Sequence, residues 1–161
     1  MILLFNSLKK FKMLQTINIS GNDVDDSFFP VLADFIKNSE SESLNISIEA
    51  HSDDIYYDFD YYIEQTTNKN ITDIGIEYFY PVLIGNAKKI FLSLNYQAGI
   101  TDKSFPLIKE ILESSHTEFD LYWTAISQKN QEIIEQLALV PFEERELPLA
   151  SNTKSASKNQ N

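Results

Sequence analysis

The sequence lacks the residues on which most catalytic and metal sites are built. It contains no cysteine and only four glycines. The missing cysteines exclude disulfides, thiolate catalysis and cysteine-ligated metals, and no glycine-rich phosphate loop or G-x-S-x-G motif occurs. The two histidines, His51 and His116, are far apart, whereas a zinc site needs several ligands at matched spacing. We therefore expect no enzyme active site, no metal and no cofactor.

Basic residues are also scarce. Lysine and arginine number 13 against 24 acids, which gives a net charge of −11. This balance is unfavourable for nucleic acid, whose binding relies on basic patches that neutralise phosphates. No apolar run is long enough to span a membrane. The short apolar stretch at 2–5 precedes its lysines, the reverse of a secretory signal, so we interpret residues 1–13 as an N-terminal cap of the fold and the protein as cytoplasmic when made. The alternative for residues 1–13 is a segment that touches a membrane.

What the chain does contain is an internal repeat. The string Ile-Thr-Asp stands at 71–73 and again at 100–102, and weaker copies occupy 24–26 (Val-Asp-Asp) and 126–128 (Ile-Ser-Gln). Each copy leads into apolar residues at helical spacing. Thr, Ser and Asp are favoured at helix N-caps, so we predict that Thr72, Thr101 and Ser127 precede helices. Self-similarity at a regular period indicates a solenoid.

The residues before each copy indicate the type of repeat. Positions 14–24 read L-x-x-I-x-I-x-x-N-x-V, and positions 119–126 read F-x-L-x-x-T-x-I with the same offsets. This pattern resembles the leucine-rich repeat, L-x-x-L-x-L-x-x-N-x-L, in its ribonuclease-inhibitor-like form, where I-T-D-x-G leads into a full helix; residues 71–75 are I-T-D-I-G. The resemblance covers residues 14–140. It implies an α/β fold, a short leucine-rich repeat solenoid of about four repeats, with parallel strands on the concave face and helices on the convex face.

The domain boundaries follow from this alignment with the repeat motif. Alternating apolar residues at 17–19 and 44–48 indicate short strands with one buried face. The third copy matches the motif at Ile90, Leu92 and Asn95. Three extra residues then separate this match from Ile100. An insertion at 49–70 interrupts the second copy. The repeat domain therefore spans 14–140 and is followed by a flexible tail at 141–161.

Strand residues between the buried positions should point to the concave face, because side chains alternate across a strand. We expect a protein-contact patch there, since Tyr and Trp dominate binding hot spots. The predicted contact residues are Asn18, Ser20, Asn45, Ser47, Lys89, Phe91, Ser93, Asp120, Tyr122 and Trp123. The alternative is that Phe91 and Trp123 pack against a C-terminal cap.

The insertion at 49–70 is acidic and rich in tyrosine. It carries six acids, with no lysine before Lys69, and four tyrosines. Crowded acids lie in solvent or meet a cationic partner, and tyrosines supply rigid contact area. We predict that the insertion binds a basic protein surface through Tyr56 and Tyr62. The alternative is a hairpin that extends the sheet and leaves the acids solvated.

The tail from residue 151 onward has almost nothing to bury, so we expect it to be disordered. Its earlier part contains Glu143, Glu144 and Glu146. These residues resemble the glutamate-rich block of C-terminal signals on substrates of Dot/Icm type IV secretion in intracellular bacteria. The resemblance implies an effector that is secreted into a host cell and binds a host protein. The alternative is an intracellular scaffold or adaptor that is not secreted.

Overall fold

The computed structural model describes residues 13–50 and 68–141. The predicted N-terminal cap up to residue 12, most of the insertion (51–67) and the tail from residue 142 lie outside the described residues. The predicted contacts Tyr56 and Tyr62 and the glutamates Glu143, Glu144 and Glu146 are in these segments. The structure therefore bears on the part of the chain in which the internal repeat was found.

Strands and helices alternate along the described chain. The strands are β1 (Thr16–Asn18), β2 (Ser43–Ser47), β3 (Asn68–Thr72), β4 (Lys89–Ser93), β5 (Gln97–Gly99) and β6 (Thr117–Asp120). The helices are α1 (Phe29–Asn38), which follows a 3-10 turn at Asp26–Phe28, α2 (Asp73–Leu83), α3 (Phe105–Ser114) and α4 (Gln128–Ala138). We call the successive segments unit 1 (β1, α1), unit 2 (β2, β3, α2), unit 3 (β4, β5, α3) and unit 4 (β6, α4).

The strands pair in parallel. Strands β1, β2, β4 and β6 form one sheet in that order, and β3 and β5 form a smaller one. The helices pack in chain order, α1 on α2, α2 on α3 and α3 on α4. Parallel neighbours require crossover connections, and each crossover in the larger sheet contains one of these helices. The predicted α/β class with parallel strands is confirmed.

The strand register places equivalent apolar residues of the four units in rows. One row lies within the strands of the larger sheet, and a second lies one residue after the strands end. A third row comes just before the helical segments. The rows are Ile17, Ile46, Leu92 and Phe119; Ile19, Ile48, Leu94 and Leu121; and Val24, Ile71, Ile100 and Ile126. All of these side chains are buried in one continuous core. A single strand and helix could not bury them, so each unit depends on its neighbours.

The alignment of unit 3 with the repeat motif is shifted by two residues from the predicted alignment. The pairing of β4 with β2 gives Gln97, and not Asn95, the position that Asn22 has in unit 1. Gln97 is buried, and its Nε2 donates a 2.8 Å hydrogen bond to the carbonyl oxygen of Ile48 in the preceding unit. A shift of two residues leaves each side chain on its predicted face, so strand alternation alone does not reveal the error.

Hydrogen bonds join the helix starts of neighbouring units. The Asp26 carboxylate accepts from the Thr72 N–H at 2.9 Å and from the Thr72 hydroxyl at 2.5 Å. The Asp73 carboxylate accepts from the N–H and the hydroxyl of Thr101 at 2.8 and 2.7 Å. Bonds to a charged acceptor are stronger than neutral ones. We call this repeated arrangement the aspartate–threonine relay.

The relay threonines also stand where the helical segments begin. The Oγ1 atom of Thr72 accepts a hydrogen bond from the Ile74 N–H at 3.2 Å, and that of Thr101 accepts from the Lys103 N–H at the same distance. Thr72 is the N-cap of α2, as predicted. Ser127 stands at the N-cap of α4, although its hydroxyl makes no capping bond.

The relay continues into unit 4 with a different partner set. The Asp102 carboxylate accepts from the Ser127 N–H and from Nδ2 of Asn130, both at 2.8 Å. Gln128 occupies the position that the relay aspartates have in the earlier units. Its amide donates instead to Glu132 on its own helix, at 3.1 Å. Unit 4 thus receives the relay from unit 3 but carries no carboxylate at Gln128.

Gly75 allows α2 to approach unit 1. A Cβ atom at this position would lie 2.9 Å from Oδ1 of Asp26 and 3.1 Å from the Phe29 ring. The equivalent residue of unit 3 is Ser104, whose hydroxyl donates to Asp73 at 2.5 Å. The same position is therefore filled by a hydrogen-bond donor at one boundary and kept empty at another.

Candidate protein-binding surface

The side of the larger sheet that faces away from the helices is called the open face here. Its residues alternate with the buried rows along each strand, as β geometry requires. They are Thr16, Asn18 and Ser20; Asn45, Ser47 and Glu49; Lys89, Phe91, Ser93 and Asn95; and Glu118, Asp120 and Tyr122. Because helices cover the other side, the open face is the side of the sheet that the described helices leave uncovered.

Small polar residues occupy the open face in units 1 and 2. The Ser20 and Ser47 hydroxyl oxygens are 2.7 Å apart. Ser20 Oγ also accepts from the Glu49 N–H at 3.0 Å, and Asn18 Oδ1 accepts from the Ser20 N–H at 3.0 Å. These bonds tie the side chains to one another and leave this half of the open face without a large projecting group.

Two carboxylates converge on the open face of units 2 to 4. Ser93 Oγ donates to Glu49 Oε1 at 2.5 Å, and Asn95 Nδ2 donates to Asp120 Oδ2 at 2.8 Å. Longer contacts, 3.4 Å from Asn95 to Glu49 and 3.5 Å from Ser93 to Asp120, place both acids around the same two donors. Ser93 lies on the predicted face, but it is only 3% exposed and its hydroxyl is bonded to these acids.

These two carboxylates form no ion pair with a side chain that the structure describes. The lysines and the histidine whose side chains are described make no such pair with Glu49 or Asp120. Each uses one oxygen for Ser93 and Asn95, and the other oxygen accepts no hydrogen bond from the described residues. Two like charges at close range give this region a negative potential that attracts cations.

Exposed aromatic rings stand beside the carboxylates. Tyr122 is 61% exposed and Trp123 is 52% exposed. The Trp123 ring is parallel to that of Tyr96, with 6.5 Å between centroids and 5° between planes. Asn95 connects the two groups: its Oδ1 accepts from the Tyr122 N–H at 2.7 Å while its Nδ2 donates to Asp120.

The backbone that presents these rings is strained. Tyr96 and Trp123 have φ angles of 63° and 59°. The equivalent residue of unit 1 is Gly21, with a φ of 72°, and glycine adopts this region without steric penalty. A bulky residue at positive φ is unusual and costs on the order of 1–3 kcal/mol. Units 3 and 4 thus place aromatic rings where glycine has the lower energy, a kind of strain that concentrates at functional sites.

No protein-family model matches this chain, and no curated protein shows significant sequence similarity to it. Within residues 13–50 and 68–141, no group of three or more histidine, aspartate or glutamate side chains could hold a metal ion. No helix in these ranges is long and apolar enough to cross a membrane.

A shallow groove crosses the open face at Phe91. It has a volume of about 280 Å³, and Thr16, Asn45, Lys89 and Glu118 are among its other lining residues. Phe91 is 36% exposed at the edge of this groove. The C-terminal segment that could cover Phe91 and Trp123 lies outside the described residues, so the alternative of a covering cap stays untested.

The structure brings the predicted strand contacts together. Asn18, Ser20, Asn45, Ser47, Lys89, Phe91, Ser93, Asp120 and Tyr122 lie on the open face, with Trp123 at its end. Glu49, Asn95 and Tyr96 belong to the same surface and were not among the predicted contacts. Two of them left a signal in the sequence: Glu49 continues the alternation of β2, and Tyr96 has the same offset from its strand as Trp123.

Proposed function

We propose that this chain is a leucine-rich repeat protein of ribonuclease-inhibitor-like type, in which units 1 to 4 are successive repeats of a short solenoid. The rows of equivalent apolar residues support this assignment, since every unit contributes the same positions to one core. The aspartate–threonine relay supports it as well, because similar bonds recur at each boundary. In such a solenoid the open face is the concave side.

The proposed function is non-enzymatic protein binding through the open face. The observation that carries it is the stacked pair of Tyr96 and Trp123, held at positive φ beside the exposed Tyr122. Tyrosine and tryptophan are enriched among the residues that dominate binding energies. Strained backbone persists where the surrounding structure enforces it, often as part of a binding site, and contact with a partner gives the rings a role that folding does not.

The proposed partner is a protein with a basic surface. The described residues of the open face include three acids, Glu49, Glu118 and Asp120, and one basic residue, Lys89. The whole chain has a net charge of −11. Complementary charge accelerates association, and the effect is screened by salt. Tyr56 and Tyr62 of the insertion are proposed as additional contacts.

Affinity capture from a eukaryotic cell lysate tests this function. Wild-type protein should retain a partner that is lost when Phe91→Ser and Tyr122→Ser are combined and is released as salt rises. Tyr78→Ser is the matched control, since Tyr78 is 45% exposed on α2, away from the open face. Equal capture by all three proteins at equal melting temperatures would remove the open face from the proposal. Tyr56→Ser with Tyr62→Ser tests the insertion in the same way.

Two settings for this binding are proposed. Glu143, Glu144 and Glu146 support a bacterial effector that is secreted into a host cell and binds a host protein. The alternative is an intracellular scaffold or adaptor that is not secreted. Replacing the three glutamates by alanine should abolish delivery in a translocation reporter assay while leaving capture unchanged. Undiminished delivery of the variant, or no delivery of the wild type, favours the scaffold.

A further inference from the structure

We propose that the open face of units 2 to 4 recognises an arginine side chain of the partner protein. The guanidinium group lies between the carboxylates of Glu49 and Asp120, against the exposed rings of Tyr122 and Trp123. This inference rests on the proposed function and names the chemical group that the surface binds.

The two carboxylates are arranged for a ligand with several donors. Both accept from Nδ2 of Asn95, so they approach the same point from the two sides of β4. Each keeps one oxygen that accepts nothing from the described residues. A guanidinium offers five N–H donors in a planar fork and can bond both acids at once, whereas a lysine ammonium is a compact point charge with three donors.

The acids are held in place before any ligand arrives. Ser93 and Asn95, which donate to them, are 3% and 8% exposed and belong to the β4 region. Strand β4 lies inside the sheet, between β2 and β6. Side chains fixed in this way lose little rotational freedom on binding, which lowers the entropic cost of association.

The aromatic rings distinguish guanidinium from other cations. The backbone N–H of Tyr122 donates to the same Asn95 that donates to Asp120, and Tyr122 lies two residues from Asp120 on the same face of the strand. The parallel rings of Tyr96 and Trp123 add a second aromatic surface next to Tyr122. Arginine stacks on aromatic faces and is weakly hydrated, whereas the lysine ammonium is strongly hydrated.

The charge of Glu49 and Asp120 excludes anionic ligands. An anionic group at Glu49 and Asp120 would meet two carboxylates that no described cation neutralises, and like charges brought together are unfavourable. The surface therefore fits a basic side chain presented by a folded or extended protein segment, with the rings of Tyr122 and Trp123 packing on its flank.

The single tryptophan of the chain makes the site directly observable. Trp123 is the only residue of its type, so one indole N–H signal reports on this surface in a nitrogen–proton correlation spectrum. The probes are N-acetyl-arginine methylamide and the corresponding lysine and citrulline derivatives at millimolar concentrations. Citrulline keeps the shape of arginine but carries no charge.

We expect a saturable shift of the Trp123 signal with the arginine probe, a markedly weaker one with lysine and none with citrulline. Combining Glu49→Gln and Asp120→Asn should weaken the arginine response roughly tenfold, since it removes both charged acceptors. Glu77→Gln with Glu132→Gln removes the same charge from the helices and should leave the response unchanged. Thermal melts of both double variants confirm that they are folded.

Equal responses to the three probes, or a response that survives Glu49→Gln with Asp120→Asn, would overturn the arginine site. The outcome is separable from that of the proposed function. A partner that is captured through Phe91 and Tyr122 while the arginine probe gives no shift leaves protein binding intact and removes the arginine site. An arginine response without any partner that depends on Phe91 and Tyr122 supports the site and contradicts the wider proposal.

Discussion

The carboxylate of Asp73 binds both the N–H and the hydroxyl of Thr101, at 2.8 and 2.7 Å, across the boundary between units 2 and 3. It also accepts from the Ser104 hydroxyl at 2.5 Å. One side chain therefore anchors the start of the following helical segment. Thr101 in turn accepts from the Lys103 N–H, so inter-unit contact and local turn formation depend on the same two residues.

Asp73→Ala should destabilise the protein by about 2 kcal/mol, since it removes a charged acceptor from three partly buried donors. Chemical denaturation monitored by circular dichroism measures the change in the free energy of unfolding. Asp23→Ala is the control, because Asp23 is exposed and exposed substitutions usually stay within about 0.5 kcal/mol. Similar losses in the two variants would show that the relay does not stabilise the boundary.

The relay makes stability depend on pH. Burial acts to raise the pKa of Asp73, but the bonds from Ser104 and Thr101 and the charge of Lys103 outweigh it, so the pKa lies below its usual value. The N–H of Ser127 and the amide of Asn130 likewise lower the pKa of Asp102.

A carboxylate whose pKa is lowered by folding stabilises the native state above its unfolded pKa, and this contribution is lost as the pH falls through the folded pKa. We expect the free energy of unfolding to decrease as the pH drops below about 4, the ordinary aspartate pKa. Denaturant melts over this range measure the slope. The combination of Asp73→Asn and Asp102→Asn should flatten it, and an unchanged slope would assign the acid sensitivity to other groups.

Gly75→Ala should be destabilising, against the usual preference for alanine in a helix. The added Cβ would lie 2.9 Å from Asp26 Oδ1 and 3.1 Å from the Phe29 ring, and overpacking of this kind typically costs about 1–3 kcal/mol. Thermal unfolding compares the melting temperature of Gly75→Ala with that of the wild type. Glu77→Ala on the same helix is exposed and should leave the melting temperature nearly unchanged.

Replacement of Trp123 tests backbone strain directly. Trp123→Gly and Trp123→Ala lose the same ring stack, so their difference isolates the positive φ of 59°. We expect the glycine variant to be the more stable by about 1 kcal/mol. At Tyr78, inside α2, the order should reverse, because glycine is about 1 kcal/mol worse than alanine in a helix. Alanine more stable than glycine at both positions would mean that Trp123 is unstrained.

Much of the architecture could be predicted from local pattern. Alternating apolar residues indicate short strands, and Thr72 is predicted as an N-cap because it precedes an apolar run of helical period. The parallel arrangement of the strands is implied only by the resemblance to leucine-rich repeats. The frame of unit 3 was misplaced because Asn95 resembles the expected motif residue, while Gln97 takes its position. Strand alternation has a period of two, so it cannot distinguish these choices.

The contacts between units could not be predicted in the same way. Asp26 binds Thr72 across the insertion, and a sequence pattern does not show which donor an aspartate will meet. The sequence predicts Ser93 as a contact on the open face, but does not show that it is 3% exposed and bonded to carboxylates from the flanking strands. Such contacts depend on strand register, which is a property of the folded sheet.

In the aspartate–threonine relay each aspartate binds the following unit, never the preceding one. This order along the chain determines what a duplication of one unit would do. The segment 73–101 begins with the aspartate and ends with the threonine to which it binds. A tandem duplication of its coding sequence would place donor and acceptor in the correct order at the new junction, with each aspartate still matched to a threonine. Every added copy would widen the sheet by one strand equivalent to β4. Length can therefore change by whole copies while each boundary keeps its aspartate–threonine pair, with Gly75 at the new junction in place of the Ser104 that donates to Asp73.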